Sequence, residues 1–178
     1  MRIVMPSGCI VPLMRPYDYT PNIEDIASVL STKPRFNGCF GRYSVAQHSV
    51  LVSDLLPPQL KFRGLMHDAH EAFAGDVSSP HKQLFRHTNS FYDDFEHGWA
   101  SRIRTYYQIP IDLGDAVKQA DLKAMSIEIA SLCHPIAISS FIELGVYPEY
   151  SRDITVLSPQ DARAQFLERV TMYSQWIT

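Results

Sequence analysis

The sequence predicts an all-α helical bundle preceded by a small N-terminal β-hairpin. Three observations lead there. Beyond about residue 20, apolar residues recur at the three- and four-residue spacing of helices. Capping residues and prolines punctuate that stretch where helices would start and stop. Before it, two short apolar runs flank a Pro-Ser-Gly turn. The 178 residues fit a single domain spanning residues 1–178, long enough to bury a substantial core.

The elements follow in order. Ile3-Val4-Met5 and Cys9-Ile10-Val11 around Pro6-Ser7-Gly8 make the hairpin, within about residues 1–19. Thr20-Pro21 signals a helix start, with Ile23, Ile26, Ala27 and Leu30 on its inner face. Ser44-x-x-Gln47 reads as a capping box for a second helix. On it Val45, His48, Val52 and Leu55 share one face, and Pro57-Pro58 stops it. A third helix is expected over about Gln59 to Ala74, with Phe62, Leu65, Met66, Ala69, Ala72 and Phe73 as its apolar stripe. Gly64 on it leaves room for a ligand or a closely packed helix. Further helices are expected over about Asn89 to Tyr107 and Leu113 to Cys133, the second carrying Val117, Ala120, Asp121, Ala124 and Glu128 along one side. Ser158-Pro159-Gln160-Asp161 caps a last helix whose inner face is Ala162, Phe166, Val170, Tyr173 and Ile177.

Composition narrows the class. Hydrophobic residues are 46% and charged residues 20%, an ordinary globular balance. A net charge of −3 argues against a broad nucleic-acid surface, though not against a local basic pocket. Cys9, Cys39 and Cys133 are odd in number and far apart, which suits reduced thiols in a cytoplasmic protein. No stretch approaches the ~18 apolar residues of a membrane span, and Met1 to Pro6 lacks the apolar run of a signal peptide.

The most informative pair is His67-Asp68, within Leu65-Met66-His67-Asp68-Ala69-His70-Glu71. Such a pair in an apolar helix is costly to bury unless something satisfies it, and a metal ion is one such partner. His48 and Asp121 lie on two other expected helices at positions facing the core. Two neutral imidazoles and two carboxylates suit a divalent transition metal: Mn, Fe, Co or Zn. Taken singly, His48 also reads as a hydrogen-bonded core histidine and Asp121 as a cap or the partner of a lysine. Glu71 and Asp76 lie beside the set. They could supply the acid and the second carboxylate that a metal-assisted phosphoester hydrolysis needs, or be an exposed helix residue and a turn former. Arg35 and Lys82 are candidate phosphate contacts or ordinary surface charges. Phe36 could stack on a base or plug the core. His70, His81, His87 and His97 read as supporting or surface residues.

The order His48, His67-Asp68, Asp121 resembles the HD-domain phosphohydrolase superfamily. Local words narrow the resemblance: Asp25-Ile26-Ala27-x-x-Leu30-Ser31, Arg35-Phe36-x-Gly38, Tyr43-Ser44-Val45-Ala46-Gln47-His48-Ser49, Met66-His67-Asp68-Ala69-x-Glu71-Ala72, Gly75-Asp76-x-x-x-Pro80-x-Lys82 and Lys118-x-Ala120-Asp121. They are similar to the small branch of deoxynucleotide phosphohydrolases, most of all to short phage-type dATP triphosphohydrolases and bacterial 5′-deoxynucleotidases. The match covers about residues 20 to 130, and the last forty-odd residues carry no recognised motif. The resemblance implies a single HD domain in which His48, His67, Asp68 and Asp121 bind one divalent metal. It leaves room for additional Mg with the nucleotide phosphates. It implies Glu71 and Asp76 as the catalytic acid/base pair and Arg35 as the phosphate holder. Lys82 matches a family lysine, and Glu128 an acidic position without an assigned role. The extra histidines of two-metal relatives are not matched, which speaks against a di-iron oxygenase or a cyclic-dinucleotide phosphodiesterase. The implied activity is cleavage of the 5′-phosphoester of a deoxynucleotide, foremost dATP to deoxyadenosine and triphosphate. The alternatives are a 5′-deoxynucleotidase acting on monophosphates and a non-catalytic nucleotide-binding module. The implied partner is a small-molecule deoxynucleotide, not a nucleic-acid polymer or a membrane. A homo-oligomer, dimer or larger symmetric ring, is also implied.

Overall fold

In the computed structural model, which describes residues 1–88, 91–150 and 152–173, a two-stranded hairpin leads into a bundle of helices, as the sequence predicts. Strands β1 (Arg2–Val4) and β2 (Ile10–Pro12) pair antiparallel, with Ile3 opposite Val11. The hairpin tip is pinned to the bundle by the buried carboxylate of Asp25, which accepts from the Ser7 amide at 2.8 Å and the Ser7 hydroxyl at 2.7 Å. The helices among the described residues are α1 (Ile23–Thr32), α2 (Val45–Asp54), α3 (Lys61–Leu65), α4 (Glu71–Ala74), α5 (Ser79–Thr88), α6 (Phe91–Tyr106), α7 (Asp115–Leu132), α8 (Pro135–Glu143) and α9 (Pro159–Tyr173).

Helix α2 is the axis of the fold. Every residue from Val45 to Ser53 is buried, and the helix packs against α1, α3, α7 and α9. A helix enclosed on all sides belongs at a bundle centre. Its Val45 and Ala46 join a large core with Ile26, Leu30, Leu65, Met66, Trp99 and Phe166. Its Leu51 and Val52 join a second core with Leu56, Val117, Ala124 and Ile127. Gly64 on α3 faces α2 so closely that an added Cβ would collide with Leu56 Cδ1 and lie 3.4 Å from the Ser53 Cα. Of the two uses expected for that small residue, the structure shows the close helix.

Local differences from the sequence reading have local causes. The first helix starts later than Thr20-Pro21, because the Asn22 side chain accepts from the Glu24 amide and takes the cap position. Ser44 caps α2 through the Gln47 amide, but the Gln47 side chain does not return the bond. It reaches instead to the Thr155 carbonyl and the Leu157 amide. The single helix expected over 59–74 is broken: residues 66–70 form turns between α3 and α4. There the amides of His67, Ala69 and Glu71 bond three residues back rather than four. Helices α5 and α8 were not expected. Leu84 and Phe85 on α5 are exposed, so no buried stripe marks that helix. Pro135, just beyond the helix expected to end at Cys133, opens α8, whose cap is the His134 ring accepting from the Ile136 amide. On α9, Ala162, Phe166 and Tyr173 are buried as expected, while Ile177 lies outside the described residues. No helix among the described residues is long and apolar enough to cross a membrane.

Candidate metal centre

Three elements converge on one point. Helix α2 delivers His48, the turn between α3 and α4 delivers His67, and α7 delivers Asp121, while Asp68, on the same turn as His67, lies against both histidines and also groups with His70 and Glu71. Neighbouring side chains on a regular α-helix diverge by about 100°; the tightened turn is the local backbone from which His67 and Asp68 both reach this centre. His48 Nε2 lies 3.0 Å from Asp121 Oδ1 and 3.7 Å from Asp68 Oδ2. His67 Nε2 lies 2.9 Å from Asp68 Oδ2 and 3.8 Å from Asp121 Oδ1.

The donor set fits a metal ion. Both Nε2 atoms are buried, and neither has a hydrogen-bond partner among the described residues. The other ring nitrogens explain why Nε2 is the free one. His67 Nδ1 donates to the Gly64 carbonyl at 2.7 Å, and His48 Nδ1 donates to Glu128 Oε1 at 2.6 Å. Each bond places the proton on Nδ1 and aims an Nε2 lone pair at the carboxylates, as supporting partners do for metal-binding histidines. Metal–ligand bonds of about 2.0–2.2 Å put adjacent ligand atoms about 3 to 3.5 Å apart, the range that these four separations straddle. His48, His67, Asp68 and Asp121 can therefore hold a divalent cation. Burial and then the Arg35 charge push the His48 imidazole down, but the Glu128 and Asp121 carboxylates outweigh them and hold it up at about 9. Asp121 is the most open of the four, with 40% of its side chain exposed. It lines a cleft of about 460 Å³ together with His67, Asp68, Arg104, Leu113 and Lys118.

Glu71 and Asp76 adjoin the set. Glu71 is buried, and its Oε2 has no partner among the described residues. Burial, then repulsion from Asp68 and Asp76, pushes its carboxyl well above the usual carboxylate range. Asp76 follows Gly75, whose φ of 90° ends α4 in a conformation that L side chains rarely adopt. Burial raises Asp76 too, against the pull of Arg35. Helix α4 is anchored by Phe73, stacked on Trp99 at 4.2 Å between ring centres. The Lys33 ammonium, which sequence reasoning passed over, donates to the Glu71 carbonyl at 2.6 Å.

The basic and aromatic candidates fall differently. Arg35 is brought to the centre, its Nη2 donating to Glu128 Oε2 at 3.3 Å. Its loop is closed by the Arg35 amide on the Tyr43 carbonyl and the Val45 amide on the Lys33 carbonyl. Phe36 lies under the Arg35 guanidinium and packs on Phe40 and Phe141, ring centres 5.3 and 6.4 Å away. Lys82 turns to Glu96 at 2.6 Å. That carboxylate also meets His70, buried in a supporting position. His81 pairs with the Ser78 hydroxyl, and His87 and His97 are exposed.

The residue sequence reasoning left without a role is Glu128. Fully buried on α7, it faces both His48 and Arg35. The available signal was its position seven residues, two turns, beyond Asp121 on the same face. Comparison with known proteins adds kinship. No protein-family model matches the chain. It is 29% identical over 126 residues to the uncharacterized protein RCAP_rcc00048 of Rhodobacter capsulatus, covering 65% of this chain and 63% of that one. It is 35% identical over 156 residues to the uncharacterized protein YfdR of Escherichia coli (strain K12), covering 86% of this chain and 84% of that one. With that identity over nearly the whole of both chains, the protein belongs to the family of Escherichia coli YfdR.

Proposed function

We propose that this chain is a metal-dependent HD-domain phosphohydrolase that cleaves the 5′-phosphoester of deoxynucleotides, with dATP, split into deoxyadenosine and triphosphate, as its leading substrate. The observation that carries the reading is the pair of buried Nε2 atoms, unpartnered among the described residues and facing two carboxylates. A divalent cation held by His48, His67, Asp68 and Asp121 supplies Lewis acidity toward a phosphoryl oxygen and a water-derived nucleophile near neutral pH. The chain's own residues do the rest. Arg35 presents a planar fork suited to phosphate oxygens. Glu71, which keeps its proton where ordinary carboxyls have lost theirs, delivers it to the departing 5′ oxygen. Asp76 beside it relays the next proton. The cleft is of a size that takes a nucleotide, and Arg104 and Lys118 offset its acidic residues. The choice of dATP and the deoxyribose preference rest on the motif resemblance.

The test is product identification by chromatography after incubation with dATP, dAMP and the other deoxynucleotides in Co or Mn. Deoxyadenosine with intact triphosphate from dATP supports the reading. Turnover of monophosphates alone makes the protein a 5′-deoxynucleotidase. Nucleotide binding with no product in any metal makes it a binding module.

A further inference from the structure

Glu128 joins the two ligand-binding halves of the centre. Its side chain is fully buried: Oε1 takes the Nδ1–H of His48, Oε2 takes an N–H of Arg35, and the Tyr43 hydroxyl also donates to the carboxylate. His48 turns its other nitrogen, without a hydrogen-bond partner among the described residues, toward Asp121 and Asp68. Arg35 is 14% exposed, and its Nε is buried with no partner among the described residues, so the guanidinium has donor capacity beyond Glu128. One buried carboxylate thus touches a group suited to a cation and a group suited to an anion.

Resting on the metal-centre reading above, we propose that Glu128 is a positioning residue that couples two ligands: a divalent cation at His48 and a phosphate at Arg35 each tighten the binding of the other through its carboxylate. A cation on Nε2 withdraws density from the imidazole and makes Nδ1–H a stronger donor. Glu128 charge is then drawn toward Oε1, and Arg35 is left less neutralised and better able to hold an anion. In the other direction, an anion on Arg35 weakens its claim on Oε2. Glu128 then pulls harder on the His48 proton and makes Nε2 a stronger ligand. Linkage requires the two effects to be equal. Direct attraction between cation and phosphate has the same sign, so the test removes the Glu128 charge and leaves both end groups in place.

The experiment is calorimetric titration of the full chain with Mn²⁺, with and without saturating inorganic phosphate, and the reciprocal titration with phosphate. In the wild type, phosphate tightens Mn²⁺ binding about 5-fold or more, and Mn²⁺ tightens phosphate by the same factor. Glu128→Gln keeps an acceptor for His48 but no charge. Its Mn²⁺ binding weakens about 10- to 100-fold, and the enhancement by phosphate falls to the smaller part that direct attraction supplies. Should that variant not fold, Arg35→Lys keeps the charge but loses the fork that spans carboxylate and anion, and there too the enhancement falls to the part that direct attraction supplies. A folded Glu128→Gln or Arg35→Lys protein with the full wild-type enhancement overturns the coupling. Wild-type protein that binds Mn²⁺ regardless of phosphate overturns the coupling alone, whereas failure to bind Mn²⁺ at all overturns the metal-centre reading with it.

Discussion

Replacing Asp68 with alanine removes a carboxylate 2.9 Å from one unpartnered histidine nitrogen and 3.7 Å from the other. If these groups hold a metal, the wild-type protein is stabilised by it as RT ln(1 + [M]/Kd), about 2.7 kcal/mol at a hundred times Kd. For a domain of this size each kcal/mol moves Tm by about 2–4 °C, so Mn²⁺ at that level raises Tm by about 5–11 °C. Loss of even a supporting partner of a metal ligand lowers affinity by up to about 100-fold, and on the proposed reading Asp68 is a ligand itself. At the same Mn²⁺ concentration the variant is then no better than half saturated. Its stabilisation shrinks to about 0.4 kcal/mol, a rise of about 1 °C. The assay is differential scanning calorimetry of both proteins with and without Mn²⁺, paired with elemental analysis of the dialysed samples. Metal-free Asp68→Ala should keep its helical spectrum, because the core residues of α2, α3 and α7 are untouched. A variant whose Tm rises with Mn²⁺ as far as the wild type's refutes the ligand assignment, and with it the mechanism.

Glu71→Gln should bind Mn²⁺ as the wild type does and lose about 10²- to 10⁴-fold in turnover of the deoxynucleotide substrate; undiminished turnover would remove Glu71 from proton transfer. Gly64→Ala should destabilise the fold by about 1–3 kcal/mol, since the new Cβ meets Leu56 Cδ1, and an unchanged urea midpoint would show that α2 and α3 have slack. Cys133, its thiol pushed up to about 11 by burial and then by the Glu128 charge, is only about one part in a thousand thiolate at pH 8. Iodoacetamide at that pH should therefore label the exposed Cys9 and Cys39 and spare Cys133 in the folded protein. The Cys133 rate should rise about tenfold per pH unit up to about pH 11, because only the thiolate reacts; rapid labelling of folded Cys133 at pH 8 would contradict its burial.

Much of this molecule is written locally in the chain. The hairpin, the Ser44 cap, the inward face of His48 on α2 and the shared face of Asp121 and Glu128 on α7 all follow from turn chemistry, capping and the helical period. Those signals act over four to eight residues, and one chain segment carries them whole. Three features were legible only in three dimensions. The break at residues 66–70 lies inside an unbroken apolar pattern, with Leu65 before it and Met66 and Ala69 within it packed in the same core as Phe73. The pattern therefore gave no warning that the helix stops. Lys82 is a free cation in the sequence, yet Glu96, fourteen residues away on α6, takes its charge. Glu128 acquires its meaning from His48 and Arg35, which are 80 and 93 residues away. Helical periodicity places a side chain on a face. Which distant group occupies the opposite face is decided by how helices dock, and on that the local sequence is silent. The sequence by itself determined the fold class, the helices that carry His48 and Asp121 and the inward direction of His48. The tertiary structure decided that the two histidine nitrogens come within 2.9–3.8 Å of the Asp68 and Asp121 oxygens, and which buried partners orient the two rings.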